Sequence, residues 1–310
     1  MAVEEYEGER LAINARRFFD ITKVLPEESV LQMDMVDQRL ELRAGRSKFS
    51  INILPADDFP DIEKIAVEHA LKIGAADLLL LLNTTITAAG KQDARFYLNG
   101  VHLHHEKGHT EAAGTDGHRL AVTTHCTAEG TTSFDIIIPT KAVSTLIKLL
   151  AASEDEVRME VGSGFCRVLF ADGAVLHSSL VDGKYPDYKR VIPPRDHMHT
   201  ATLATPELRA ALHRAGILVK SESGAIKTSF SQNKLHVSAE NREQETAGEE
   251  IPIQYTGPDI SIGMNVNYLL DALLAQPDET RLYLQDAQTS VLITSDATPH
   301  IRHVVMPVRL

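Results

Sequence analysis

One grammar recurs along this chain at a nearly constant interval, and it limits the fold more than any other feature. An apolar strand leads into a residue able to cap a helix. About three turns of amphipathic helix follow, then three strands with alternating apolar positions. The capping residues Asn14, Thr140 and Asn265 recur after 126 and then 125 residues. So regular a period marks an internal repeat. The first copy runs from Leu11-Ala-Ile-Asn-Ala-Arg-Arg-Phe-Phe-Asp-Ile21 to Leu54-Pro-Ala-Asp-Asp-Phe-Pro60. The second runs from Ile136 through Ile147 to Leu180-Val-Asp-Gly-Lys-Tyr-Pro186, and the third from Ile260 through Asp271 to Val304-Val-Met-Pro307. In the first copy Leu40 and Leu42, then Phe49, Ile51 and Ile53, alternate with polar residues, which predicts strands over 30–36, 39–44 and 47–53.

Two related units lie between these copies. One has a predicted helix at 75–90 and strands through 95–104, 111–115 and 119–124; the other has a helix at 205–216 and strands at 225–230, 233–239 and 248–254. Two units of this kind make one α+β domain, with helices on one face of the sheets. At 310 residues the chain exceeds a single ordinary core. The order is one unit, then a pair, then a pair, so three domains are expected over 1–60, 61–193 and 194–310, the first holding only the second half of its domain. The Pro- and Asp-rich stretches 54–66 and 186–202 read as the connections.

The formal net charge of −12 argues, as a sum, against nucleic-acid binding. Distribution decides, however, and the acids gather at Asp57/Asp58, Glu154–Glu156, Glu240–Glu250 and Asp278/Glu279. The longest apolar run, Leu78 to Leu82, is far too short for a bilayer-spanning helix. Met1-Ala-Val-Glu-Glu-Tyr-Glu lacks the profile of a signal peptide, and Cys126 and Cys166 form no disulfide framework, so a cytoplasmic protein without membrane contact is expected.

The final residues, Val304-Val-Met-Pro-Val-Arg-Leu310, are apolar almost to the end, where most chains are polar and frayed. With Thr115-Asp-Gly-His-Arg-Leu120 and Lys184-Tyr-Pro-Asp-Tyr-Lys-Arg-Val-Ile-Pro193 they read as the walls of one pocket. The plainer reading is a closing strand of the last sheet, and both can hold.

These motifs, in order, carry a family resemblance. Arg46-Ser-Lys-Phe-Ser50, Leu54-Pro-Ala-Asp-Asp-Phe-Pro60, Arg95-Phe-Tyr-Leu-Asn-Gly100, Thr115-Asp-Gly-His-Arg-Leu-Ala121, Tyr185-Pro-Asp-Tyr-Lys-Arg-Val191 and Met306-Pro-Val-Arg-Leu310 span the chain. The sequence resembles the bacterial DNA polymerase III β subunit, the sliding clamp. The resemblance implies a head-to-tail dimeric ring with three similar domains per subunit, helices lining the hole and sheets outside. The family normally has a further half-domain ahead of the first unit seen here. An alternative is therefore a truncated, clamp-derived module that binds the same peptides without encircling DNA.

The resemblance also implies residue roles. A cleft between the middle and last domains would take partner peptides, with walls at Tyr97, Leu98, Thr115, Gly117, His118, Arg119, Leu120, Pro186, Arg190, Val191, Ser290, Val304, Val305, Met306, Pro307, Val308 and Arg309. Its occupants would be peptides of the DNA polymerase III catalytic subunit, the clamp loader and other replication and repair proteins. Duplex DNA would be held without base readout, through phosphate alone. Arg16, Arg17, Lys23, Arg95, Lys141, Lys148, Arg209, Arg214 and Lys220 are the expected DNA-facing cations, although ordinary solvated helix faces also carry mixed charge. Arg46 and Phe49 would meet Ile217 and Leu218 of a second subunit, unless these apolar residues are simply core.

No chemistry of bond-making emerges. His102 and His104 share a strand face with His105 opposite, but no spacing of Cys or carboxylates completes a metal site. Gly162-Ser-Gly164 lacks the frame of a nucleophile elbow, no phosphate-binding glycine loop occurs, and Asp116 with His118 has no third partner. No catalytic residue, metal or cofactor is expected.

Overall fold

The computed structural model describes residues 10–56, 66–126, 133–219 and 224–309. The chain divides into two compact units, 1–65 and 66–310.

In the first unit, β1 (Ala12–Ile13), β2 (Gln32–Val36), β3 (Arg39–Ala44) and β4 (Ser47–Leu54) form an antiparallel sheet in the order β1-β4-β3-β2. Alternation puts Leu40, Leu42 and Ile51 on one face, where Phe18 and Ile21 of α1 (Ala15–Val24) pack with Ile13, Phe49 and Ile53. Asn14 caps α1 as expected, its side chain accepting the Arg17 N–H at 3.0 Å.

The second unit builds its sheets by exchange. Each opening strand leaves its own unit and pairs with the sheet of the other unit in its pair. β5 (His69–Gly74) pairs with β10 (Glu156–Gly162), which continues into β11 (Phe165–Leu169) and β12 (Val175–Ser179). Conversely, β9 (Phe134–Pro139) joins β6 (Gly100–Glu106), β7 (His109–Thr115) and β8 (Arg119–Cys126). The last third repeats the trade. β17 (Ile260–Asn265) pairs with β14 (Ala225–Ser231), beside β15 (Lys234–Glu240) and β16 (Thr246–Pro252). β13 (His199–Ala204) pairs with β18 (Glu279–Leu284), beside β19 (Val291–Thr294) and β20 (Ile301–Val305). This reciprocity explains the sequence period: a single unit cannot complete a sheet, whereas two can.

Helices α2 (Ala75–Ile86), α3 (Thr140–Leu150), α4 (Thr205–Gly216) and α5 (Val266–Leu273) cover one side of these sheets. The first pair shares a core with Val101, Leu103, Met159 and Val168, and the second with Ala201, Ile226, Val237 and Leu282. Gly114 sits where α2 comes closest, since a Cβ there would collide with the Thr85 carbonyl oxygen. Asn265 caps α5 through the N–H groups of Asn267 and Tyr268.

Three local expectations differ. Thr140 does not cap α3: Pro139 holds the N-cap position, and Thr140 is the first helical residue. α2 stops at Ile86 rather than 90, where Thr84 and Thr85 hydroxyls bond back to the carbonyls of Leu80 and Leu81 and the helix gives way to turns. Strand β6 starts at Gly100, because Phe96–Leu98 form a single 3-10 turn.

The largest tertiary feature is a seam. β20 pairs antiparallel with β8, with Val304 opposite Leu120 and Val305 opposite Arg119. The two four-stranded sheets thereby fuse into one of eight strands, in the order β13-β18-β19-β20-β8-β7-β6-β9. Residues 181–198, which take in most of the stretch 186–202 expected as a connection, lie as a strap across the face opposite the helices. Tyr185, Tyr188, Ile192 and Met198 pack there on Ala113, Leu120, Val122, Ile137, Leu292 and Val304. It stays down because those side chains have an apolar sheet face to bury.

Candidate functional site

The strand period decides which residues of the tail and of β8 can meet a partner. Leu120 and Val304 face the strap, and both are almost fully buried, at 2% and 3% exposed. Their neighbours Arg119 and Val305 turn to the helix side. Val305 lies within the core of the last third, and Arg119 stacks 4.3 Å over the Tyr268 ring of α5. The Arg119 guanidinium is held by Asp116 at 3.1 Å and Asp271 at 2.5 Å. Arg119 thereby ties β8 to α5, and Arg119 and Val305, both expected as pocket walls, line a small recess together with Leu120, Val304, Tyr268 and Asp271.

The loop Thr115–Arg119 is a set of interlocking turns. The Asp116 carboxylate accepts the N–H groups of His118 and Arg119 at 2.9 and 3.1 Å, and the Thr115 hydroxyl accepts that of Gly117 at 3.1 Å. Gly117 takes φ +85°, and a Cβ there would stand 2.9 Å from an Arg95 guanidinium nitrogen. The strap fastens this loop, because the Tyr185 hydroxyl accepts the Thr115 N–H at 3.0 Å. His102 stacks on Tyr185 with ring centroids 4.8 Å apart. Burial pushes the Tyr185 phenol up and the His102 imidazole down, with Asp135 opposing the second shift.

The tail joins the same loop: the Met306 N–H donates to the His118 carbonyl at 3.0 Å. Val308 then donates to Gly263 of β17 at 2.8 Å, so the chain leaves the seam after Met306. Met306 is 46% exposed and Val191, on the strap's 3-10 turn Tyr188–Val191, is 57% exposed. Tyr97 packs against the outer cluster, Leu98 is buried beside it in sequence, and Phe96 is exposed. Pro186, Arg190, His118 and Arg309 are exposed, while Ser290, Pro307 and Val308 are half-buried. Arg190 is paired with Asp187 at 2.8 Å. The result is a buried apolar floor, Leu120 and Val304, with exposed apolar side chains on the segments that flank it. Such a surface can take extended peptides with apolar anchors.

The expected DNA-facing cations divide. Lys141 and Lys148 stand exposed on α3, seven residues apart and so on one side. Arg209 is half-buried on α4, and Arg214 is neutralised by a two-pronged pair with Glu249 at 2.8 and 2.6 Å. Within the first unit Arg16, Arg17 and Lys23 are exposed on α1, Arg16 lying 3.6 Å from Asp20. Arg95 is not on a helix. Its guanidinium and backbone N–H both bond the Asp93 carboxylate and draw it down to about 2, and the guanidinium also donates to the Asp116 carbonyl, so Arg95 belongs to the pocket loop. Lys220 lies outside the described residues.

For the expected subunit joint, Phe49 packs on Leu40, Leu42 and Ile51, while Arg46 is exposed in the β3–β4 turn. Ile217, after α4, is 75% exposed, and Leu218 packs on the last core. Sequence reasoning missed Tyr185, Tyr188 and Ile192 as the strap's anchors. The aromatic spacing Tyr-Pro-Asp-Tyr was visible, but not the sheet face that receives it. Among the described residues no helix is long and apolar enough to cross a membrane.

Comparison with known proteins gives one answer along the whole chain. Residues 1–63, 72–187 and 189–309 match the family models of the N-terminal, central and C-terminal domains of the DNA polymerase III beta subunit. The beta sliding clamp of Escherichia coli K12 is 35% identical over 309 residues, covering 99% of this chain and 84% of that protein. That of Vibrio cholerae is 36% identical over 310 residues, covering 99% and 83%. A crystal structure of the Pseudomonas aeruginosa sliding clamp with ligand superposes with a TM-score of 0.94 at 34% identity, covering 100% of this chain and 85% of that one. A second, bound to griselimycin, gives 0.92 at 34% identity, covering 99% and 84%.

Proposed function

The chain belongs to the DNA polymerase III beta subunit family, the beta sliding clamps, and from that premise we propose that it is a non-catalytic processivity clamp of the bacterial cytoplasm. It encircles duplex DNA without reading its sequence and holds replication proteins, the polymerase III catalytic subunit and the clamp loader among them, by short peptides. The carrying observation is the β8–β20 seam, which brings the Thr115–Leu120 loop, the closing strand and the Tyr185-anchored strap to one apolar surface.

Peptide anchors seat over Leu120 and Val304, between Met306, Val191 and Tyr97, with Arg190 and Arg309 at the rim. Each anchor contributes about 1.5–3 kcal/mol, enough for modest affinity and ready exchange among partners. The domains are 1–60, 61–193 and 194–310. Two copies meet head to tail, Arg46 and Phe49 of one against Ile217 and Leu218 of the next. Lys141, Lys148, Arg209 and the α1 cations face phosphate, and an acidic exterior keeps DNA from the outer surface. A module that binds peptides without encircling DNA is not favoured, since the match runs through all three domain models.

The test is topological. Protein loaded on circular plasmid should be retained in high salt and lost when a restriction cut opens an end. Equal loss from circular and linear DNA would end the encirclement reading.

A further inference from the structure

A second recess lies beside the peptide surface, lined by none of the residues assigned above to the peptide walls, the DNA-facing set or the subunit joint. It is an open cleft of about 520 Å³ between the strap and the outer sheet face, lined by Glu111, Lys189, Ile192, Arg195, Leu292 and Arg302, with Pro193 and Pro194 at its lip. We propose that this cleft receives an acidic segment adjoining the apolar anchors of a partner peptide; the proposal rests on the peptide-binding reading of the Leu120–Val304 surface.

Charge is the first reason. Three cations and one carboxylate line the cleft, on a chain whose net charge is −12. That carboxylate is already engaged: Glu111 accepts the Tyr188 hydroxyl at 2.6 Å and pairs with Lys189 at 3.1 Å and Arg302 at 3.6 Å. Arg195 is held by stacking 4.9 Å over the Tyr283 ring, an arrangement that fixes a guanidinium without neutralising it. The cleft is thus locally positive and preorganised, which favours carboxylates and rejects basic segments.

Continuity is the second reason. Arg302 precedes Val304 by two residues on one strand, so both face the strap, about 7 Å apart. Leu292 stands directly opposite Val304 on β19. A peptide anchored over Val304 reaches the cleft with its next two or three residues, at about 3.3–3.6 Å each. The apolar Ile192 and Leu292 suit the stems of glutamates between the cations. No aromatic ring lines the cleft among the described residues, and the two beside it, Tyr283 under Arg195 and Tyr188 on Glu111, are buried, so bases find no stacking platform, which favours a peptide over single-stranded nucleic acid.

The test uses the full chain and fluorescent peptides carrying Leu and Phe anchors, extended at either end by a run of glutamates or of glutamines. At low salt the glutamate extension at one end should tighten binding about five- to tenfold over glutamine, a gain that added salt removes. The double variant Arg195→Gln/Arg302→Gln should lose that gain while binding the glutamine peptide as before. Equal affinity of the two extensions, or a gain that persists in the double variant, would overturn the proposal. So would a short single-stranded DNA that displaces the glutamate peptide through these arginines. Should neither peptide bind, the anchor surface has failed, and the cleft is then read alone. Glutamate-rich peptide without anchors should shift the Arg195 and Arg302 Nε–H resonances saturably, and their silence would refute the cleft as well.

Discussion

Replacing Met306 by glutamate separates binding from folding more cleanly than any other change at this surface. The Met306 side chain is 46% exposed, and its backbone N–H ties it to the His118 carbonyl, a bond that a substitution leaves in place. Stability should therefore change by no more than about 0.5 kcal/mol. A peptide anchor seated on Met306 removes roughly the remaining half of its surface from water, worth about 1 kcal/mol, so Met306→Ala should weaken binding about fivefold. Glutamate adds a carboxylate under an apolar anchor, at a further cost of about 1–3 kcal/mol. The sum, about 2–4 kcal/mol, is roughly a 30- to 700-fold loss of affinity. Leu120 couples the two quantities instead: it is only 2% exposed, so Leu120→Ala should cost about 2–5 kcal/mol of stability as well as take the floor from under the anchor. Anchor-peptide titration by fluorescence anisotropy, beside urea melts of each variant, reads both quantities. A folded Met306→Glu protein that binds within threefold of the parent would refute the placement of the anchors.

Three further outcomes can be checked. Lys141→Gln with Lys148→Gln should reduce the slope of log K against log salt for duplex DNA by about 1.8, with peptide affinity unchanged; an unaltered slope would remove α3 from the DNA-facing surface. Tyr185→Phe deletes the acceptor of the Thr115 N–H and should cost about 1–2 kcal/mol, with faster hydrogen exchange at Thr115; unchanged exchange would show that the strap does not hold the loop. Burial and the nearby Arg119 charge hold the His303 imidazole at about 4, below its ordinary 6.5. The unfolded chain therefore binds a proton there that the folded chain does not. Stability present above pH 6.5 is lost as pH falls to 4, by up to about 3 kcal/mol, and His303→Leu should flatten denaturation midpoints over that window. Burial lowers His102 and His105 as well, so some slope should remain, whereas Asp93 titrates below the window.

Much of this molecule is written locally. The period of the caps announced the repeated unit, and Asn14 and Asn265 do cap their helices, because a cap is a contact between residues two or three apart. Alternation located the strands for the same reason, since period two is a property of one strand alone. The charge of α3 was legible at Lys141 and Lys148, and the apolar tail begins in the closing strand, which ends at Val305 rather than running on through the tail. The tertiary structure alone decided what those elements exchange. Nothing local in Val304 specifies Leu120 as its opposite number, and that register sets Arg119 and Val305 on the helix side of the seam. Nothing local in Tyr185-Pro-Asp-Tyr188 says that both rings lie on the fused sheet and carry the Thr115 loop. Arg95 and Arg214 read as free cations until a distant or turn-related carboxylate was seen beside each. Short-range chemistry fixes the elements; pairing between residues far apart in the chain, settled by which faces can be buried together, fixes the site.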